Sequence, residues 1–418
     1  MPPQSDQARA HGDASLEFYP LVPATQPTLA SRASAGSNPP KRGARRRKAG
    51  TQRKRTVELG SRLRGNERGN ELARVKSFLP RRRWLIAGAL LTALAVGSFA
   101  LADVARYPAA PIRVRIDAKP ITSFDNRDPS LTRFGSLEFR GGLVLTSSNP
   151  AFGGISAIHV EPDGSRFIAI TDRGSWLRGR IVYHDGRPTG IADAEMAPIL
   201  GSDGKPLAAR GWYDVESLTE RDGVLYVGIE RVEQIVRFDY RRDGLRARGQ
   251  PIAVPPDFKT FAYNKSLECL AATPQGLPPG AGLIAVTERS LDTAGNLRSF
   301  LLDGDLVMRF SVKRTDDFDV SDCTILPPGD LLLLERRFSP ARGVAMRIRR
   351  IPLADIKVDA VADGRSMIEA DLGYQIDNME GIDAHRAAGG ETISTLISDD
   401  NFSIIQRNLL LQFAVVGE

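Results

Sequence analysis

Residues 152–174 read FGGISAIHVEPDGSRFIAITDRG. An apolar run at 155–160 leads into the turn residues Pro162, Asp163 and Gly164, and a second apolar run at 167–170 ends at Asp172-Arg173. Two apolar runs bounded by such turn residues signal a β-hairpin. The layout recurs in WYDVESLTERDGVLYVGIER (212–231), KSLECLAATPQGLPPGAGLIAVTER (265–289), FDVSDCTILPPGDLLLLERR (318–337) and NMEGIDAHRAAGGETISTLISDDN (378–401). Aligned on the first strand, Ser156, Glu216, Glu268, Asp322 and Glu380 share one position, 60, 52, 54 and 58 residues apart. Short strands repeating at this period predict an all-β chain folded as a β-propeller, one blade per repeat.

Five repeats predict five blades, with N- and C-terminal strands closing the ring. A sixth, irregular blade using 112–116 is the alternative. After the last hairpin, SIIQRNLLLQFAVV (403–416) supplies one long strand, so 137–145 is expected to provide the missing outer strand of that blade. Between the hairpins, GRIVYHD (179–185), QIVRFDY (234–240), SFLLDG (299–304) and VAMRIRRI (344–351) alternate or carry β-branched residues, as outer strands do. The Gly/Pro-rich segment 199–210 is expected to overhang the ring.

The net charge of +7 is unevenly distributed. Residues 1–102 hold 19 Lys+Arg and 6 Asp+Glu, which leaves the remainder mildly acidic. A folded part of that sign lacks the basic face of a nucleic-acid binder. Residues 1–80 have no apolar periodicity and read as a disordered basic extension, with KRGARRRKAGTQRKR at 41–55. A valine-coded start at Val75 would remove most of it. Residues 81–103 read as a signal peptide or membrane anchor: three arginines, then WLIAGALLTALAVGSFALA (84–102), 19 residues without a charge. Ala100-Leu101-Ala102 ahead of Asp103 fits a cleavage site, and the run is also about long enough to span a bilayer. Either way residues 104–418 are expected outside the cytoplasm, periplasmic, secreted or held at the membrane through 84–102, as a monomer. Cys269 and Cys323 follow the aligned acid in neighbouring repeats. They read as small buried apolar residues, with a disulfide between adjacent blades as the alternative in an oxidising compartment. Four histidines share no metal or triad motif.

The aligned acids open each first strand, and Asp172-Arg173, Glu230-Arg231, Glu288-Arg289, Glu335-Arg336 and Asp399-Asp400 close each second strand. The start of one antiparallel strand lies beside the end of its partner. Both sets are therefore expected to converge on one mouth of the ring as an acidic funnel. Crowded carboxylates need protons, arginines or a cation. A site of Asp/Glu oxygens suits Ca²⁺, or Mg²⁺, better than Zn²⁺. The expected metal ligands are Glu216, Glu268, Asp322, Glu380, Asp172 and Asp400. Glu216, Glu268 and Glu380 are the candidate catalytic acids. Arg173, Arg231, Arg289, Arg336 and Lys265 are candidates to bind an anionic substrate, because Arg and Lys complement phosphate and carboxylate. The competing expectation is that the repeated acid–arginine pairs tie neighbouring blades together.

FGGISAIHVEPDGSRFIAITDRG, DVESLT (214–219), NMEGID (378–383), SDDNF (398–402) and QRNLLLQF (406–413) resemble the phytase-like propeller domain, described as "esterase-like activity of phytase", over about residues 134–416. The resemblance implies an exported β-propeller related to calcium-dependent phytases, in which Asp/Glu-held calcium binds phosphate and activates water. The expected function is thus metal-dependent hydrolysis of a small anionic phosphoric or carboxylic ester. The alternatives are a gluconolactonase-type lactonase and a non-catalytic propeller that binds a ligand or envelope protein. No G-x-S-x-G nucleophile elbow occurs in the chain, which argues against a serine esterase.

Overall fold

The computed structural model describes residues 108–274, 282–327 and 329–417. The basic extension and the 84–102 run lie outside them. Among the described residues no helix is long and apolar enough to cross a membrane. Five sheets form five blades. From the axis outwards, blade 1 is Ile155–Val160, Arg166–Thr171, Ser175–His184, Arg187–Pro198 and Ile112–Arg113. Blade 2 is Val215–Arg221, Val224–Ile229, Gln234–Asp239 and Gln250–Pro251. Blade 3 is Leu267–Ala272, Leu283–Leu291, Leu297–Asp303 and Leu306–Val312, with Val361–Ala362 added in parallel at its edge. Blade 4 is Asp319–Ile325, Asp330–Ser339, Gly343–Pro352 and Arg365–Asp371.

Blade 5 closes the ring. Asn378–Arg386, Thr392–Asp399 and Asn408–Val415 come from the C-terminal end, and Leu137–Thr146 and Asp117–Ile121 from the N-terminal end. Leu410 faces Leu143 across that seam. The first strand of blade 5 then packs against that of blade 1, completing the circle of innermost strands. Five blades and the closing role of 137–145 agree with the sequence reading. Ile112–Arg113 pairs with Met196 and Glu195 at the edge of blade 1, so no sixth blade forms from it.

The innermost strands are buried on both faces, as in ISAIHV and LECLAA, because each is sandwiched between its own sheet and its neighbours. The residue after each aligned acid position is small: Ala157, Ser217, Cys269, Cys323 and Gly381. Crowding at the axis requires this. A Cβ on Gly381 would meet the Ala157 Cα at 3.0 Å. Ser217 uses the proximity to donate its hydroxyl to the Leu267 carbonyl at 3.2 Å. At the far mouth Asp383 ties blades 4, 5 and 1, accepting from Thr324 Oγ1 at 2.8 Å and the Val160 N–H at 2.6 Å, with His159 Nδ1 at 3.0 Å.

Cys269 and Cys323 form a disulfide between the innermost strands of blades 3 and 4, with Cα atoms 5.1 Å apart. The expectation of two free, small apolar residues is corrected accordingly. The alternative held because the axis brings equivalent positions of adjacent blades together. The bridge closes a sequence separation of 54 residues. Replacing both cysteines by Ala should cost about 2–4 kcal/mol, the usual range for such a loop. Urea unfolding of the double variant checks this, and an unchanged midpoint would show that the bridge adds nothing to the closed ring.

Candidate functional site: an acidic channel mouth

Every innermost strand carries a β-bulge at or next to the aligned position. Ser156, Glu216, Glu268 and Glu380 are each the extra residue, unpaired between neighbours that do pair. In blade 4 the unpaired residue is Ser321, one place earlier, and Asp322 pairs with Leu334. A bulge re-aims a side chain that regular alternation would send into the sheet. Repeated around the ring, it gathers Glu216, Glu268 and Glu380 at one mouth of the channel, beside the ends of the second strands.

The tightest group there is Glu230, Glu268 and Glu288, all buried, with one carboxylate oxygen of each within 4.8 Å of the others. Glu230 Oε1 accepts the Ser266 N–H at 2.7 Å. Glu288 Oε2 accepts Lys265 Nζ at 2.6 Å, and Arg336 lies 3.6 Å from Glu288 Oε1. Glu268 Oε2 is buried and without a hydrogen-bond partner. Glu380 Oε1 accepts from Arg336 and from Asn378 Nδ2, the latter at 2.7 Å, while its Oε2 is also unpartnered. Asp172 Oδ1 is a third such atom.

Burial raises the proton affinity of the carboxyls here, and like charges add to it. Glu216 is driven well above the carboxylate range by burial and then by Glu380, Asp172, Glu230 and Asp214. Glu268 is driven up by burial and then by Glu216 and Glu288. Burial pushes Glu230 and Asp172 up to about 7 and Asp399 to about 6. Glu380 also reaches about 7 through burial, with Arg336 opposing the rise. Glu230, Asp172, Glu380 and Asp399 therefore take up protons near neutrality unless a cation compensates them. Hard oxygen donors, several of them unpartnered, fit Ca²⁺ or Mg²⁺. Glu230, Glu268 and Glu288 are thus able to hold a metal ion.

The expected residues do not all share this environment. Glu216, Glu268, Glu380 and Asp172 stand together, with Lys265 and Arg336 among them. Asp322 is fully buried, and its Oδ2 accepts the Ile382 N–H of blade 5 at 2.8 Å. Asp400 Oδ1 accepts the Gly154 and Phe402 N–H groups at 3.1 and 3.0 Å, and its Oδ2 accepts Asn408 Nδ2 at 2.8 Å, so it organises the loop between blades 5 and 1. Arg173 stacks on Phe402, 3.2 Å from the ring centre, and Arg231 on Tyr213 at 4.3 Å. Arg289 pairs with Asp319 of blade 4 at 3.0 Å. Arg336 joins blade 4 to blades 3 and 5 through Glu288 and Glu380, which makes it a tie as well as a channel cation. Glu335, aligned with the funnel acids, instead lies inside blade 4, accepting from Arg347 Nε at 2.8 Å and from Arg349 at 2.8 and 2.6 Å.

The sequence pattern missed Glu230 and Glu288 as candidate ligands, treating them as neighbours of the aligned acids. It also missed Asp214 and Asn378. The available signal was that Glu230 and Glu288 come from adjacent blades flanking Glu268.

Among solved structures, the chain is similar to an endo-arabinase from Bacteroides thetaiotaomicron, with 12% identity, 64% of this chain and 94% of that chain covered, and a TM-score of 0.39. It is also similar to U3-55K, with 9% identity, coverage of 63% and 96%, and a TM-score of 0.34. No curated protein matches the chain. The family model described as "Phytase-like: Esterase-like activity of phytase" matches residues 150–402, which takes in all five innermost strands and the channel acids. The chain belongs to the phytase-like family.

Proposed function

We propose that the protein is an exported, metal-dependent hydrolase of phosphoric or carboxylic esters that works at the acidic mouth of its channel. The observation that carries this reading is the buried Glu230, Glu268 and Glu288 group with an unpartnered oxygen on Glu268. Glu230, Glu268 and Glu288 hold the cation, Ca²⁺ by preference for irregular oxygen sites. Bound there, it supplies Lewis-acid chemistry towards an ester oxygen. Glu216 and Glu380 border the same space with raised proton affinity, and Glu380, pushed up to about 7, serves as a proton acceptor near neutral pH. Lys265 and Arg336 are the cations at hand to orient an anionic ester. The buried disulfide supports a periplasmic or secreted location, since such bridges persist in oxidising compartments.

The test is metal analysis of the dialysed protein together with hydrolysis of a panel of phosphoesters, carboxylic esters and lactones. Wild type should retain a divalent cation and hydrolyse at least one phosphoric or carboxylic ester. Glu268→Gln should lower that rate by at least about 100-fold, the scale of a lost catalytic group, and should lose the cation with the fold intact. A wild type that retains no cation and turns over nothing refutes the hydrolase and leaves a ligand-binding propeller. Turnover of lactones alone selects the lactonase.

A further inference from the structure

The five most exposed large apolar side chains among the described residues are Ile404, Ile405, Tyr263, Phe338 and Leu372, from 58% exposed at Leu372 to 103% at Ile404. All five lie on the channel-mouth face that carries the acids. Ile404 and Ile405 sit between the second and third strands of blade 5. Tyr263 precedes the first strand of blade 3, Phe338 ends the second strand of blade 4, and Leu372 links blade 4 to the first strand of blade 5. Leu372 lies against Gly343, so Phe338, the exposed Arg342 and Leu372 form one corner. Leu306, in the turn between the third and fourth strands of blade 3, belongs to the opposite mouth.

The chain enters the domain on the same side. Ile112–Arg113 runs antiparallel to Arg187–Pro198, and Ile112 pairs with Met196, two residues from the end that leads to the channel mouth. Only residues 103–107 separate the apolar run 84–102 from Pro108. Fully extended, that link spans roughly 20 Å. An apolar run held in a bilayer therefore keeps this face within reach of the lipid.

We propose that the channel-mouth face docks on a phospholipid bilayer, with Ile404, Ile405, Phe338, Leu372 and Tyr263 inserted into the interface. Isolated apolar tips around a polar mouth gain free energy by entering the headgroup region, and Tyr and Arg prefer that depth. The channel acids then open towards the membrane surface, and substrates reach them from the lipid side. This inference does not depend on hydrolysis.

Both native cysteines are paired, so an introduced cysteine is a single labelling site. The full chain carrying Ile404→Cys, Phe338→Cys or Leu306→Cys is labelled with an environment-sensitive dye and mixed with phosphatidylcholine–phosphatidylglycerol vesicles containing brominated acyl chains. Residues that insert about 5–10 Å below the headgroups should lose roughly half their emission to the bromines. That loss is expected at 404 and 338 and not at 306. Ile404→Asp with Ile405→Asp should abolish the quenching at 338 without changing the melting temperature, since neither side chain packs in the core. A tether alone does not bury Ile404, so equal responses at all three positions overturn the orientation. No response at any position overturns the membrane and assigns the face to a protein partner.

Discussion

Replacing Glu335 by Ala should destabilise the propeller by about 3–5 kcal/mol, the range for removing one partner of a buried ion pair. Glu335 is fully buried, and Arg347 and Arg349 are only 4% and 2% exposed. Without the carboxylate both guanidiniums keep their charge in a closed sheet. Arg347 retains Asp316 and Thr315, and Arg349 retains Asp363, but those acceptors sit at the outer ends of the two side chains. Denaturant unfolding of Glu335→Ala measures the effect. A loss below about 1 kcal/mol, typical of exposed pairs, would show that water reaches the arginines. The same variant separates the two roles of the repeated acids, because Glu335→Ala should leave cation binding unchanged in protein that remains folded.

The second large effect concerns cation removal and pH. In chelator at pH 8, the melting temperature should fall by about 5 °C or more relative to protein with Ca²⁺, by mass action on the folded state. The pH dependence of the cation-free protein follows from raised proton affinities. Glu230, Asp172 and Glu380 are pushed to about 7 and Asp399 to about 6, from ordinary values of 4.5 for Glu and 3.8 for Asp. A carboxyl that binds its proton more tightly when folded contributes full stability below its unfolded value. That contribution is lost as pH rises through the folded value. Cation-free protein should therefore melt higher at pH 5 than at pH 8, with most of the change between about pH 4 and 7. Ca²⁺ should flatten the profile, because it compensates the ionised forms. Glu216→Gln with Glu380→Gln keeps the shapes and removes two of the crowded charges. In chelator at pH 8 this double variant should melt above wild type, while its response to Ca²⁺ and any hydrolysis decline. A chelated wild type with the same melting temperature and no pH slope would mean that Arg336 and Lys265 already neutralise the channel.

The repeat itself determined most of the architecture. A hairpin of two apolar runs, recurring five times with an acid at one aligned position in four of the copies, was enough for a ring of at least five blades and for the mouth at which most of the acids meet; the pairing of Ile112–Arg113 with blade 1 excluded a sixth. It also placed 137–145 in the last blade, because strand alternation and turn chemistry are local properties written residue by residue. What the repeat could not carry is anything that breaks its own symmetry. Glu230, Glu288, Glu335 and Asp399 occupy equivalent positions, yet only Glu335 is drawn into its sheet. The cause is on another strand, where Arg347 and Arg349 alternate onto its side of blade 4. Likewise Asp322 gives its Oδ2 to the Ile382 N–H of the next blade, whereas Glu268 at the aligned position lies within 4.8 Å of Glu230 and Glu288.

The bulges, the disulfide and the Glu230, Glu268 and Glu288 group all depend on how closely blades approach the axis. That distance is set by ring closure over hundreds of residues, and no local pattern encodes it. The aligned acids were thus legible as a ring of charge. Which carboxylates stand close enough to share a cation, which bind arginine and which tie backbone to backbone was decided only when five innermost strands packed around one axis, where low dielectric and short distances make each neighbour count.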